Sequence, residues 1–268
     1  MEQTNKKNPL VSVIMPAYNA SRFIEEAIRS VMAQTITDWE LLVLDDGSGD
    51  DTLTIAQRLA REDSRIRVLP NEHNMGVAKT RNRGMDLCRG AYVAFLDSDD
   101  VWYPEKLEVQ LDLMRETGTD LCYCAYAIVD AAGKKTRADY LVPPAVEIDG
   151  LLRQNVIGCS TAMLSPVIRE KYRFETDFYH EDYVLWLQIL QDGYKAVGCT
   201  RVLVAWRFVE NSRSFNKWGA AKNRWRIYRD RMHLSFFHSV RLLVEYGLSG
   251  LRKYSKKYDI QPGEAYES

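Results

Sequence analysis

Within the first hundred or so residues, short apolar runs and stretches of helical periodicity take turns, and that alternation narrows the fold more than any other feature. Val11-Ser12-Val13-Ile14-Met15 reads as a buried strand because it is short, rich in β-branched residues and stopped by Pro16. A helix is expected next over Ser21 to Gln34, where Phe23, Ile24, Ala27, Ile28, Val31 and Met32 recur at helical spacing behind Ser21 as a cap. The unit then repeats as strand Glu40 to Leu44 with helix Asp51 to Arg61, and strand Ile66 to Leu69 with helix Val77 to Cys88. A last strand, Tyr92 to Leu96, leads to a helix from Tyr103 to Glu116. Strands alternating with helices need crossover connections, so the sheet is expected to be mainly parallel, with ligands at the carboxyl ends of its strands. Further on the rhythm loosens to a strand near Leu121 to Tyr126, a loop over Ala132 to Pro144 and a helix over Glu181 to Gln191. This half reads as an α+β extension built onto the first.

The chemistry concentrates where the strands end. Phe95-Leu96 empties into Asp97-Ser98-Asp99-Asp100, and in extended chain the side chains of Asp97 and Asp99 point the same way. Two hard oxygen ligands on one side suit Mg2+ or Mn2+, with water and diphosphate oxygens completing the shell; the competing reading is that these acids cap the next helix. Asp45-Asp46-Gly47-Ser48 repeats the arrangement, and its acids would accept hydrogen bonds from a ribose or a base edge, unless they only cap a turn. Pro16-Ala17-Tyr18-Asn19 ends the first strand and offers Tyr18 as a stacking face. Asn74-Met75-Gly76, followed by Lys79 and Arg81, opens a helix whose N-terminus and cations would favour phosphate; a solvated helix face is the alternative. The spacing is not that of a Walker loop, and no strand opens into G-x-G-x-x-G, which argues against a nicotinamide dehydrogenase.

Together these runs resemble family 2 glycosyltransferases. The matching stretches are V-S-V-I-x-P-x-Y-N from Val11, D-D-G-S-x-D-x-T from Asp45, N-x-G-x-x-x-x-R-N-x-G from Asn74 and D-x-D-D from Asp97, within Pro9 to Glu108. The resemblance implies a GT-A fold: a Rossmann-like nucleotide-binding half, about 9–108, merged with an acceptor-binding half, about 109–216, and followed by a helical extension, 217–268. It further implies that Pro16, Tyr18, Asn19 and Asp46 lie on the nucleotide base and ribose, that Asp99 binds the metal and that Asp97 assists. Lys79 stands where relatives often carry a small residue, which leaves its role open. His180-Glu181-Asp182 resembles the family's Glu-Asp pair, making Asp182 the expected base; first-turn acids that complement a helix dipole are the alternative. His180, with no second histidine nearby, is expected to contact the acceptor or to be structural. Trp206-Arg207 and Ser212-Arg213-Ser214 resemble the family's late Arg and Ser-x-Ser loop, so Arg207 and Ser212 are expected near the donor diphosphate.

The expectation is thus a metal-dependent, inverting glycosyltransferase. It would use a nucleoside diphosphate sugar, UDP-linked by preference, and a glycan or lipid-linked glycan acceptor in bacterial surface polysaccharide synthesis. A nucleotidyltransferase of similar fold would show a glycine-rich basic loop after the first strand, where this chain has Pro16-Ala17-Tyr18-Asn19. An inactive sugar-nucleotide-binding scaffold would not need Asp97, Asp99 and Asp182 intact.

Composition adds two constraints. Five cysteines without repeated ligand spacing and a polar Met1 to Asn8 leading straight into a strand suggest a reducing, cytoplasmic setting with no signal peptide. Although the net charge is −1, the segment Lys217 to Lys257 carries +9 and leaves −10 for the rest. Its cations alternate with aromatic and aliphatic residues, and its apolar stretch is too short to span a bilayer, so it suits an anionic membrane surface or packing against the core. No nucleic-acid-binding module accompanies these charges.

Overall fold

The computed structural model describes residues 8–208 and 217–255. Four parallel strands, β1 (Val11–Ala17), β2 (Trp39–Asp45), β3 (Ile66–Val68) and β4 (Tyr92–Phe95), lie in the order β3-β2-β1-β4. The crossovers are the helices α1 (Ile24–Met32), α2 (Thr52–Glu62) and α3 (Val77–Leu87), as the alternating sequence pattern requires. Pro16 is tolerated inside β1 because β4 ends opposite Ile14, two residues short of it, so the missing N–H removes no ladder bond. The expected cap at Ser21 is not formed. Helix α1 begins after Phe23 without a side-chain cap, and the Ser21 N–H instead donates to Asp50 Oδ2 at 3.1 Å.

The second half does not form a separate layer. After β5 (Val101–Trp102) and α4 (Lys106–Thr117), the chain makes β6 (Leu121–Val129), β7 (Ala145–Val146) and the short helix α5 (Ile148–Arg153). There follow β8 (Met163–Leu164), α6 (Pro166–Lys171), α7 (Glu181–Gln191) and β9 (Ala196–Arg207). Strand β8 inserts antiparallel between β4 and β6, so a single nine-stranded sheet continues as β4-β8-β6-β9-β5, with β7 on β9. Strand β9 is parallel to β6, with a register shift near Ala125.

Both faces of this sheet are covered, and the period-two alternation shows it. Ile14, Leu42, Leu44, Val93 and Phe95 enter one core with α3, α5 and α7. Val13, Met15, Leu41, Val43 and Ala94 enter the other, under α1, α2 and α4. Gly84 marks the closest approach, since a Cβ there would meet Ile14 Cγ2 at 2.6 Å, so α3 can sit on β1 only with glycine at that position. Beyond the gap, α8 (Lys217–Arg226), a π-helical turn (Ile227–Arg231) and α9 (Phe236–Ser255) complete the described chain. Ile227, Tyr228 and Leu242 are buried in the first core, so the extension packs on the body through part of its surface.

Candidate active site

Strands β1, β2 and β4 end on the same edge of the sheet, which brings the three sequence motifs side by side. There, Tyr18 is exposed and Asn19 adopts a left-handed backbone with φ 49°. The Asn19 N–H donates to Ser48 Oγ at 3.0 Å and its side-chain oxygen accepts from the Gly49 N–H at 2.8 Å, clasping the first loop to the second. Asp46 is buried. Its carboxylate accepts from Asn71 Nδ2 at 2.7 Å and from the Met75 and Gly76 N–H groups at 2.9 Å each. Burial works to raise its pKa, but these donors prevail and hold it below the usual carboxylate range. It therefore holds the loop before α3 in shape. The neighbouring Asp45, the other acid of that run, has its Oδ1 buried with no partner among the described residues. Lys79 is exposed on α3.

Arg81 departs most from the open phosphate clamp that its position on α3 suggested. It is 4% exposed, with Nη2 on Asp97 Oδ1 at 2.5 Å and Nη1 on Glu181 Oε1 at 2.7 Å. Its guanidinium is thus spent on two carboxylates, from the end of β4 and the head of α7, one hundred residues apart in sequence for Glu181. Helix α7 is anchored by Val184, Leu185, Trp186, Leu187 and Ile189, all fully buried, and each such side chain contributes roughly 1.5–3 kcal/mol by leaving water. That packing fixes the first turn of α7, where Asp182 sits half-buried and accepts from the Tyr183 N–H at 2.7 Å. Burial, with Glu181 adjacent, pushes the Asp182 carboxyl up to about 6. His180 stands just before the helix, with Nδ1 3.1 Å from Asn223 Nδ2 of α8 and its ring edge-on to Tyr179.

The D-x-D-D run divides its labour. Asp100 is fully buried and accepts from Ser160 Oγ at 2.5 Å and from the Arg207 N–H at 2.9 Å, which makes it a structural residue that the sequence did not separate from its neighbours. Arg207 is likewise buried, and not open to a diphosphate as its resemblance suggested. Its Nε donates to the Asp99 carbonyl at 2.8 Å, Nη2 reaches Glu26 at 2.6 Å, and Nη1 reaches the carbonyls of Asp130 and Ala131. The guanidinium so fixes the backbone that carries Asp99. Ser212 lies outside the described residues.

Asp97 and Asp99 keep carboxylate oxygens without hydrogen-bond partners among the described residues. Burial, then the Asp97 charge, pushes Asp99 up to about 6; the hard oxygens that Asp97 and Asp99 keep beyond the Arg81 contact are of the kind that suits a divalent cation. Among the described residues no group of three or more His, Cys, Asp or Glu forms a metal cluster, so diphosphate and water oxygens would have to complete the shell.

Asp97, Asp100, Glu181 and Asp182 share one cavity of about 550 Å3, which Tyr126, Trp206 and Phe208 also line. Asp46 and Asp99 do not line it; they belong to the strand-end surface beyond Asp97. The arrangement can place an anionic leaving group on the strand-end side and a hydroxyl nucleophile on the cavity side, with the Arg81 bridge between them.

A family model described as glycosyl transferase family 2 matches residues 12–171. A Bacillus subtilis (strain 168) glycosyltransferase named for teichuronic acid biosynthesis, TuaG, is 37% identical over 250 residues, covering 93% of this chain and 99% of that one. The Escherichia coli UDP-Glc:alpha-D-GlcNAc-diphosphoundecaprenol beta-1,3-glucosyltransferase WfgD is 36% identical over 251 residues, covering 93% and 96%. Among solved structures, S. aureus TarS 1–349 in complex with UDP-GlcNAc has a TM-score of 0.71 at 20% identity, covering 94% of this chain and 76% of that one. The mannosyltransferase PcManGT from Pyrobaculum calidifontis, in complex with GDP-Man and Mn2+, has a TM-score of 0.67 at 17% identity, covering 95% and 77%. These likenesses establish the fold as that of the GT-A glycosyltransferases.

Proposed function

The chain belongs to glycosyl transferase family 2, and from that premise we propose that it transfers a sugar from a UDP-sugar to a lipid-linked glycan with inversion at the anomeric carbon. The setting is assembly of a bacterial surface polysaccharide, as the names of TuaG and WfgD support. The observation that carries the reading is the Arg81 bridge, which ties Asp97 at the donor edge to Glu181 beside the base Asp182. Residues 9–108 serve as the donor half, 109–216 as the acceptor half and 217–268 as the extension.

In this reading Pro16, Tyr18, Asn19 and Asp46 shape the base and ribose site. Lys79, exposed at the start of α3, faces the diphosphate. Asp99, with Asp97, holds a divalent cation, which when bound supplies positive charge to the leaving diphosphate. Asp182 accepts the proton of the acceptor hydroxyl as that oxygen bonds to the anomeric carbon. The bond from that carbon to the diphosphate oxygen breaks, and the nucleoside diphosphate leaves with the electron pair. His180, fixed by Asn223, positions the acceptor. A panel of nucleotide sugars assayed for free nucleotide tests this: release that is fastest from a UDP-sugar and is abolished by a chelator is expected. Chelator-insensitive release, or none from any donor, would contradict it.

The acceptor's lipid places the enzyme at the cytoplasmic face of the membrane, and the extension supports attachment there. Phe237 is 83% exposed and lies on one face of α9 with Val240 and Val244, while Leu242 and Ser239 face the core. Lys222, Arg226 and Arg241 are exposed within the same +9 segment, and apolar and cationic side chains in one segment are the combination that binds anionic lipid surfaces. No helix among the described residues is long and apolar enough to cross a membrane. Flotation with anionic vesicles should recover the full chain and lose most of it for the double variant Phe237→Ser/Val244→Ser; equal recovery of both rejects attachment through this face.

A further inference from the structure

The cavity beside Asp182 is charged unevenly. Among its lining residues, Arg81 is held between Asp97 and Glu181, and Arg137 lines the same cavity. Tyr126, Trp206 and Phe208 also line it, in mutual contact: Tyr126 stacks on Tyr140 at 4.9 Å, Trp206 meets Tyr126 edge-on at 6.1 Å and Phe208 meets Trp206 at 6.1 Å. The Arg137 guanidinium lies over the Phe208 ring at 5.1 Å, so the aromatic wall leads directly to a cation.

Arg137 is carried by an ordered hairpin. Lys135 pairs with Val129 and Tyr140 with Tyr126 across it, Asp130 accepts from the Ala132 and Lys134 N–H groups, and Lys135 Nζ meets Asp139 at 2.8 Å. Aromatic rings suit the C–H face of a sugar, while a planar guanidinium suits a phosphate, which it can grip with two parallel hydrogen bonds. An acceptor whose reacting hydroxyl sits at Asp182 would thus find a phosphate-binding group in the same cavity.

We propose that Arg137 recognises a diphosphate carried on the anomeric oxygen of the acceptor sugar. The cavity would then accept the first sugar of a lipid diphosphate carrier in preference to the neutral end of a long glycan. This assignment rests on the reading of Asp182 as the base, and it concerns the half of the site that the donor does not occupy. Arg137 selects the acceptor by its charge; it does not touch the reacting atoms.

The test compares two acceptors that share a sugar, N-acetylglucosamine α-linked through a diphosphate to a short alkyl chain and the neutral alkyl α-glycoside. Free N-acetylglucosamine 1-phosphate serves as a third arm that separates a lipid headgroup from a soluble sugar phosphate. Wild-type kcat/KM should favour the diphosphate acceptor. Arg137→Gln should lower that preference by about tenfold or more, mainly through KM, as expected for loss of a hydrogen bond between charged groups. Arg137→Lys should restore part of it. Equal use of both acceptors by the wild type, or an Arg137→Gln defect of the same size on both, would overturn the proposal. A preference for the free 1-phosphate over the alkyl diphosphate would overturn the lipid carrier as the source. Retained turnover in Asp182→Asn with every acceptor would remove the base instead and leave the Arg137 preference measurable on its own.

Discussion

Asp182→Asn is expected to lower kcat by about 10²–10⁴-fold while leaving the affinity for UDP within a few-fold of wild type, the range that loss of a positioned general base produces. Asparagine keeps the side chain's size and its bond from the Tyr183 N–H, which donates to Asp182 Oδ1. Only the capacity to take a proton is removed. Because burial and the Glu181 charge hold the carboxyl up to about 6, the wild-type rate should fall as pH drops through that value, the base being inactive once protonated. The sign of the stability effect is opposite to that of an ordinary ion-paired carboxylate. A raised folded-state pKa means that the folded protein binds the proton more tightly than the unfolded chain, so ionisation of Asp182 costs stability as pH rises. Asp182→Asn should therefore unfold no more readily than wild type at pH 8, in urea titrations that also verify its fold. A variant with wild-type kcat would take Asp182 out of the mechanism.

Arg81→Met is the second large effect, and its first expression is in folding. The guanidinium is 4% exposed and satisfies Asp97 and Glu181 at once, so removing it leaves two acids facing each other with no cation between them. Breaking a buried charge pair by deleting one partner costs about 3–5 kcal/mol, most of it from the uncompensated charge that remains. Glu181 is 5% exposed, whereas Asp97 keeps a partly exposed carboxylate. The double variant Arg81→Met/Glu181→Gln should recover a substantial share, because it removes the Glu181 charge together with that of Arg81. Urea unfolding monitored by tryptophan fluorescence measures both. A loss under about 1 kcal/mol for Arg81→Met would mean that the bridge does not join the two halves in solution.

The elements long enough to carry a period were readable: β1, β2, α2 and α3 in the first half and α7 in the second all fall within a residue or two of the ranges that alternation and helical spacing imply. The second half hides for specific reasons. β5, β7 and β8 are two residues each, and α5 and α6 are six, too short for any periodicity. β9 is long, but exposed Thr200 and Arg201 interrupt it and a register shift against β6 breaks its alternation. The continuous sheet that results could not be inferred from the sequence, since it depends on β8 slipping between strands that are distant in sequence.

The candidate site divides in the same way. Its acidic residues stand out because several polar groups at a strand end are unusual, whatever their roles. Their partnerships do not stand out: Asp100 with Ser160, Arg207 with Asp99 and Glu26, and Arg81 with Glu181 are all contacts between residues at least sixty positions apart. A place near a helix start therefore points to Arg81 as a phosphate ligand, and the family resemblance points to Arg207. The fold instead buries both guanidinium groups and uses them to position the acids.

The central claim is that Asp99 and Asp182 serve one cation-held diphosphate from its two sides, and Mn2+ electron paramagnetic resonance in the presence of UDP tests it most directly. Tight, UDP-dependent Mn2+ binding by the wild type and by Asp182→Asn, with loss in Asp99→Asn, is the predicted pattern. UDP-dependent binding that survives unchanged in Asp99→Asn would contradict the account.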